Sequence, residues 1–333
     1  MKHIRSAAVV AAAASLLSLA AATPAAGREA RWDLRLEKFF VGGTKPLWLY
    51  GRTRDGRWLS VAGSSRDDER GPRKKSYNRS WYYADFSTIP LKDGKLQGTF
   101  TLHVTPDLWV PRDHKPYTVD IEIDARVQGK DRMEGTWKVL AVHTEDVSAD
   151  FGTSGQVTGE LEWADQPTLP ERVTFRCNMQ GALVGGDPRF GDRCMVLLLG
   201  FEGGRFTSAV HALLSKKFEV YGLKGFDASA CDLTATRDRL HGRVVVPTKT
   251  LDMEPATYVY EIDGRPIEGY IVGLYKLTVQ VEGKPNVTIA GSFDGQWEKG
   301  LTRVAAEDDR PWFVPVKGHK PPAPGEHPRL LFR

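Results

Sequence analysis

The sequence predicts an all-β protein made of two tandem, duplicated domains of the β-sandwich or jelly-roll type that follow a signal peptide. Apolar and polar residues alternate with a period of two in several short runs, most clearly in YTVDIEIDARV at positions 117–127. Clusters of Gly, Pro and Asp separate these runs at about the 8–12-residue spacing of sandwiches and barrels. An internal repeat is the third observation, and it predicts that one β-rich unit occurs twice.

The internal repeat divides the chain into two halves. Segment 47–61 (LWLYGRTRDGRWLSV) resembles segment 197–210 (LLLGFEGGRFTSAV), and a VGG precedes each of them. Three further pairs of segments follow in the same order, namely 95–104 with 239–247, 117–123 with 275–281, and 133–137 with 293–297. We therefore expect a first domain at 31–165, a second domain at 169–300, and a Pro-rich C-terminal segment at 301–333.

The segment 1–22 has the features of a secretory signal peptide. Lys2 and Arg5 precede an apolar run at 7–22, and Ala20 and Ala22 fit a cleavage site with small residues. An uncleaved membrane anchor is the alternative, although the run is shorter than the ~20 residues that usually span a bilayer. We expect a secreted or periplasmic protein with no membrane span after the signal is removed.

The charge of the chain argues against one class of partner. Removal of the signal peptide takes away Lys2 and Arg5, so the formal net charge falls from +4 to +2. Proteins that bind nucleic acid usually carry a strong excess of basic residues on one face. We therefore expect no nucleic-acid partner.

Three cysteines follow the export signal, at positions 177, 194 and 231. Cys177 and Cys194 flank a segment rich in Gly, Pro and Asp that is typical of a turn between strands, and an oxidising compartment permits a disulfide. A disulfide between Cys177 and Cys194 is one interpretation, and three buried free thiols are the other. No histidine partner can be placed beside any of the three, so we predict no catalytic cysteine.

The usual motifs of nucleotide, nucleophile and metal chemistry do not occur in the sequence. There is no Walker A loop, no Rossmann glycine fingerprint and no G-x-S-x-G elbow. The histidines are scattered without the spacing of metal ligands, so we predict no metal site of that kind. No cofactor is expected, apart from the option of structural calcium at Asp67, Asp68 and Glu69.

Three acidic residues alternate on the strand predicted at 117–127. Asp120, Glu122 and Asp124 share one face, where alternate residues lie about 6.6–6.8 Å apart, close to a carboxylate separation used in glycoside hydrolysis. Glu122 and Asp124 resemble the first half of the E-x-D-x-x-E strand of jelly-roll glucanases related to laminarinase. The acid/base glutamate of that motif is missing, because positions 126–127 hold Arg and Val. A solvated polar face and a complete secreted β-jelly-roll glycoside hydrolase are the two alternatives.

Aromatic and basic residues cluster in two predicted loops of the first half, at 66–83 and 105–117. Aromatic rings stack on the C–H faces of sugars, and guanidinium groups bind carboxylates or sulfates. The loops therefore predict a surface for an acidic polysaccharide or another extracellular glycan, unless the aromatic residues fill the core and the basic loop is merely solvated. The candidate carbohydrate-binding residues are Arg73, Lys74, Trp81, Tyr83, Trp109, Arg112 and His114.

The C-terminal sequence GEHPRLLFR carries a second resemblance. Its HPRLLF stretch at 327–332 resembles the entry segment of secreted heparinase II/III-like polysaccharide lyases of the alginate-lyase type, where it precedes a helical toroid. The resemblance implies that this chain is a truncated, non-catalytic, carbohydrate-associated region of a larger lyase. The catalytic tyrosine, histidine and asparagine of that family match no position here. The alternative is a C-terminal tail that packs on the second domain.

Overall fold

The computed structural model describes most of the chain between Arg28 and Lys299. The described ranges are 28–40, 43–64, 81–104, 117–143, 151–165, 168–184, 194–214, 220–224, 230–249, 254–267 and 269–299. The predicted signal peptide and the C-terminal segment at 301–333 lie outside these residues. No helix long and apolar enough to cross a membrane occurs in the part of the chain that the structure describes.

The first half of the chain forms one closed antiparallel sheet. Its strands are β1 (Arg28–Phe40), β2 (Lys45–Arg54), β3 (Arg57–Ser64), β4 (Trp81–Asp85), β5 (Leu91–Lys92), β6 (Lys95–Val104), β7 (Tyr117–Gln128), β8 (Arg132–His143) and β9 (Ser154–Asp165). They are ordered β4-β3-β2-β1-β9-β8-β7-β6-β5. A further pairing of β4 with β6 closes the sheet into a barrel.

The second half of the chain also forms one closed antiparallel sheet. Its strands are β10 (Arg172–Val184), β11 (Cys194–Glu202), β12 (Arg205–Leu214), β13 (Val220–Lys224), β14 (Thr234–Ala235), β15 (Leu240–Lys249), β16 (Pro255–Ile267), β17 (Tyr270–Val281) and β18 (Val287–Lys299). They are ordered β11-β10-β18-β17-β16-β15-β14-β12-β13, and β11 also pairs with β12. This sheet is therefore closed as well.

Both sheets are up-and-down barrels in which the first strand pairs with the second and with the ninth. The predicted all-β class and the predicted duplication are confirmed. The connectivity is a meander rather than the Greek keys of a jelly roll, because most strands pair with their neighbours along the chain. The two sheets extend over 28–165 and 172–299, compared with the domains predicted at 31–165 and 169–300.

The order of the strands shows which parts of the two barrels are equivalent. β7 and β8 correspond to β16 and β17, since both pairs follow the strands that contain the related sequences KLQG and RLHG. Sequence similarity matches 117–123 with 275–281, in β7 and β17, and 133–137 with 293–297, in β8 and β18. Both matches are therefore displaced by one strand. Adjacent antiparallel strands share the same alternation of apolar and polar residues, which explains the displacement.

Alternation directs the apolar face of each strand into its barrel. On β7, Val119, Ile121 and Ile123 are fully buried, whereas Glu122 and Asp124 are exposed on the outer face. The interiors of the two barrels form two separate apolar clusters. Each half of the chain therefore has a hydrophobic core of its own.

A third apolar cluster lies between the barrels. It contains Tyr50, Ala62 and Tyr83 from the outer faces of β2, β3 and β4, together with Ile267 from β16 and Val272 from β17. All five residues are at most 8% exposed. These side chains would face water on an isolated barrel, so their burial favours the association of the two halves.

A polar network lies beside this junction. Arg52 of β2 donates hydrogen bonds to the carbonyl oxygens of Arg237 (3.1 Å) and Pro266 (2.9 Å). Its guanidinium also forms ion pairs with Glu29 (3.0 Å) and Asp238 (3.1 Å). One side chain of the first barrel thus binds three groups of the second.

The predicted disulfide between Cys177 and Cys194 is not formed in this structure. Cys177 is a free thiol inside the second barrel, where burial raises its pKa. Cys177 lies opposite Leu197, whereas Cys194 lies opposite Gln180. This register offsets the two cysteines by three residues, or about 10 Å of strand, and a disulfide requires Cα atoms within about 7 Å of each other. The pairing of β10 with β11 therefore does not align the two cysteines.

Candidate functional site

Most of the predicted carbohydrate-binding residues lie outside the described part of the chain. This applies to Arg73, Lys74, Trp109, Arg112 and His114, and also to the candidate calcium ligands Asp67, Asp68 and Glu69. Trp81 is the first residue of β4. Tyr83 lies in the junction between the barrels and is 8% exposed, so its ring is not available to stack on a sugar. Alternation along β4 turns Tyr83 outward, and the second barrel then covers it.

The acidic residues of β7 do not converge on a cleft. Glu122 and Asp124 are exposed on the outer face of the barrel. Asp120 accepts hydrogen bonds from His143 Nε2 at 2.8 Å and from Thr101 Oγ1 at 2.7 Å. These two bonds, the one from His143 foremost, lower the pKa of Asp120 although partial burial opposes them. A glycosidase instead needs two carboxyl groups that face each other across the scissile bond.

The sheet brings together two histidines that are far apart in the sequence. His103 on β6 and His143 on β8 both lie opposite Thr118 on β7. Tyr83 on β4 lies opposite His103, and their ring centroids are 5.5 Å apart. Spacing along the chain could not reveal that these side chains are neighbours, because their positions depend on the register of four strands. Within the described ranges, no group of three or more His, Cys, Asp or Glu side chains is placed to hold a metal ion.

Burial keeps both aromatic groups neutral. Burial lowers the pKa of His103, and the charges of Asp85 and Asp120 oppose that effect only in part. Burial is also the main reason why the pKa of Tyr83 is raised to about 12. Near neutral pH the His103 imidazole is therefore uncharged and the Tyr83 hydroxyl keeps its proton.

Three basic residues form a row across the outer face of the first barrel, at the opposite end of β6 from His103. Lys92 on β5 lies opposite Lys95 on β6, and Lys95 lies opposite Arg126 on β7. We call these three residues the basic row. None of them has an ion pair or a side-chain hydrogen bond with any residue that the structure describes. Like charges directly opposite one another repel, so the row is electrostatically unfavourable as it stands.

The basic row lines an open depression of about 560 Å³. The remaining lining residues are Pro90, Asp93, Gly94, Gln97 and Val127. Asp93 is the one acidic side chain of this lining, against three basic ones. The volume falls within the range of about 300–1,000 Å³ that is common for ligand sites, and the charged lining suits an anionic ligand.

The second barrel contains an equivalent basic pair that holds a carboxylate. Arg239 and Arg265 correspond to Lys95 and Arg126, because β15 and β16 correspond to β6 and β7. Asp263 accepts hydrogen bonds from Arg239 Nε (2.8 Å) and Arg265 Nη1 on one oxygen, and from Arg265 Nη2 (3.1 Å) on the other. Burial raises the pKa of Asp263, but the hydrogen bonds from both arginines outweigh burial and the net shift is downward.

In the first barrel, Asp124 occupies the position that corresponds to Asp263. Asp124 accepts a hydrogen bond from Gln97 Nε2 at 3.3 Å. It forms no ion pair with Lys95 or Arg126. The basic row is therefore without the carboxylate that its counterpart in the second barrel holds.

No protein-family model matches the sequence, and no curated protein matches it. Among solved structures, kievitone hydratase from Nectria haematococca is similar at 11% identity, with 81% of this chain and 89% of that chain covered and a TM-score of 0.25. An AttH protein from Nitrosomonas europaea is similar at 9% identity, with 80% and 92% covered and a TM-score of 0.22. Similarities this distant carry no information about the activity of this chain.

Proposed function

We propose that the chain is a non-catalytic binding module for an acidic extracellular polysaccharide. The basic row carries the proposal, because three cations without an ion-pair partner among the described residues line one depression. Polysaccharides with uronic acid or sulfate groups present anions at regular intervals, and such groups form charge-assisted hydrogen bonds with Lys and Arg.

The electrostatics of the basic row support an anionic ligand. Opposed like charges destabilise a pair of strands by roughly 0.2–1 kcal/mol, and a bound anion relieves that repulsion. Lys92 and Arg126 are exposed and Lys95 is half-buried. Salt screens exposed charges of this kind, with a Debye length of about 8–10 Å near physiological ionic strength. We therefore expect weak binding that decreases as the ionic strength rises.

Two features of the sequence extend the proposal beyond the described residues. A signal peptide at 1–22 would place the module in the periplasm or outside the cell. The resemblance at 327–332 would connect it with a heparinase II/III-like lyase. The loop residues Arg73, Lys74, Trp109, Arg112 and His114 remain candidates for further contacts with the same polymer.

A complete glycoside hydrolase is the alternative function, and the geometry of β7 does not favour it. Glu122 and Asp124 are exposed on a convex outer face, and Asp120 is already hydrogen-bonded to Thr101 and His143. We therefore expect no release of reducing ends by this chain. Cleavage that Glu122→Gln abolishes would establish the hydrolase instead.

Titration with a panel of polysaccharides tests the proposed function. Alginate, a heparan-type polymer and an ulvan-type polymer would be compared with a neutral polymer, at low and at physiological salt. We expect at least one acidic polymer to bind, more tightly at low salt, and the neutral polymer not to bind. Absence of binding to every acidic polymer, or equal binding to the neutral one, would contradict the proposal.

A further inference from the structure

We propose that Lys95 and Arg126 bind the carboxylate of a uronic acid, which identifies the class of polysaccharide that the basic row recognises. This inference rests on the proposed function and makes it more specific. It comes from the duplication, because the second barrel holds a carboxylate with the equivalent pair of side chains.

Asp263 shows how such a pair can bind a carboxylate. Arg265, two residues further along β16 on the same face, contacts both oxygens of Asp263, and Arg239, the residue before β15, shares one of them at 2.8 Å. A planar carboxylate thus connects two cations, which are the next residues beyond the Leu240–Gly264 pair of β15 and β16. Lys95 and Arg126 lie opposite each other in the same way, so the spacing of their strands suits the same planar group.

The first barrel leaves this position open because of a neighbouring side chain. Gln97 Nε2 donates a hydrogen bond to Asp124, and Asp124 has no ion pair with either member of the basic pair, Lys95 and Arg126. His241 corresponds to Gln97 in the second barrel, and it contacts Thr234 instead (Nδ1 to Oγ1, 3.3 Å). Asp263 is therefore not held by His241 and binds the two arginines. The difference between Gln97 and His241 accounts for an occupied pair in one barrel and an open pair in the other.

Lys92 adds a third cation to the site, where it can contact the next sugar of a polymer. It lies opposite Lys95 on β5, one strand beyond the basic pair, or about 4.8 Å away. A second carboxylate of the same chain would lie against Lys92 while the first is held by Lys95 and Arg126. The expected ligand is therefore a run of consecutive uronic acids rather than one isolated acidic sugar.

Oligosaccharides of equal charge test the inference directly. A four-sugar oligouronate would be compared with a four-sugar ligand that carries one sulfate per sugar and no carboxylate, using titration calorimetry at low salt. We expect the oligouronate to bind about two- to fivefold more tightly, the equivalent of one well-formed exposed ion pair. Equal affinity, or tighter binding of the sulfated ligand, would overturn the inference while leaving a general acidic-glycan module intact. Failure of both ligands and of every acidic polymer would overturn the proposed function itself.

Three variants test the role of the neighbouring side chains without removing a cation. Gln97→His should release Asp124 toward the basic pair and weaken oligouronate binding by about two- to fivefold. Asp124→Asn should strengthen binding, because it removes a nearby negative charge that repels an anionic ligand. Glu122→Gln is the matched control, since it makes the same change of charge one position further along the outer face of β7. Unchanged affinity in Gln97→His, or the same gain in Asp124→Asn and Glu122→Gln, would contradict the inference.

Discussion

Arg52 and Glu29 form an ion pair of 3.0 Å beside the junction of the two barrels, and both side chains are 3% exposed. Arg54 and Arg237 contact the same carboxylate, at 2.5 Å and 3.2 Å. Arg237 belongs to the second barrel, so one buried carboxylate connects the two halves of the chain. A charge this far from water requires partners of opposite charge, and here the partners come from both barrels.

We expect Glu29→Gln to lower the free energy of unfolding by about 1.5–3 kcal/mol, because the buried guanidinium of Arg52 loses one charged hydrogen-bond partner and keeps Asp238 as the other. Urea denaturation would measure this loss. Glu202→Gln is the matched control: its ion pair with Arg172 (2.7 Å) is exposed, at 42% and 62%. That change should cost at most about 1 kcal/mol. A loss in Glu29→Gln no larger than in the control would show that the buried network does not stabilise the junction.

We expect His103 to make the protein less stable in mild acid. Burial lowers the pKa of His103 in the folded protein, whereas the unfolded chain binds a proton near pH 6.5. The stability that depends on a neutral imidazole is therefore complete above about pH 6.5 and is lost as the pH falls below it. The lowered pKa of Asp120 keeps that carboxylate ionised over the same interval.

The difference in unfolding free energy between wild type and His103→Gln measures this effect. We expect the difference to shrink as the pH is lowered from about 7.5 to about 5. Contributions from the other histidines cancel, because both proteins contain them. A difference that stays constant or grows toward acid would contradict the burial of a neutral imidazole at this position.

We expect Cys177 to be unreactive in the native protein. Its thiol is fully buried, and burial raises its pKa, so little thiolate is available to an alkylating reagent. Mass spectrometry after alkylation without reductant should show Cys177 modified only when the protein is unfolded first. A Cys177–Cys194 cross-linked peptide in a non-reducing digest would refute the register found for β10 and β11.

Strand alternation accounts for how much of the fold the sequence predicts. The run at 117–127 predicts both the buried face of β7 and its exposed acidic face, since side chains alternate with a period of two. Repeated motifs predict the duplication, but they displace two of the matches by one strand. Closure of the meander into a barrel depends on pairing between strands that are far apart in the chain, such as β1 and β9. A sequence pattern contains no direct record of that pairing.

The candidate site is less predictable, for two physical reasons. Tyr83 is an aromatic residue on an outward face, and only the docked second barrel shows that this face is buried. Lys92, Lys95 and Arg126 are ordinary charged residues at the ends of three strands, and register alone places them opposite one another. The absence of an ion-pair partner for them among the described residues is likewise visible only in three dimensions.

Binding of alginate by a variant without the basic pair tests the central claim most directly. The double variant Lys95→Gln/Arg126→Gln would be titrated beside wild type and beside Lys138→Gln, an exposed lysine on β8 of the same barrel. We predict that the double variant binds about tenfold more weakly and loses most of its dependence on salt, because the charge contacts of half-buried Lys95 and exposed Arg126 are removed. Lys138→Gln should bind like wild type. Wild-type affinity in the double variant, or a comparable loss in Lys138→Gln, would contradict binding at the basic row.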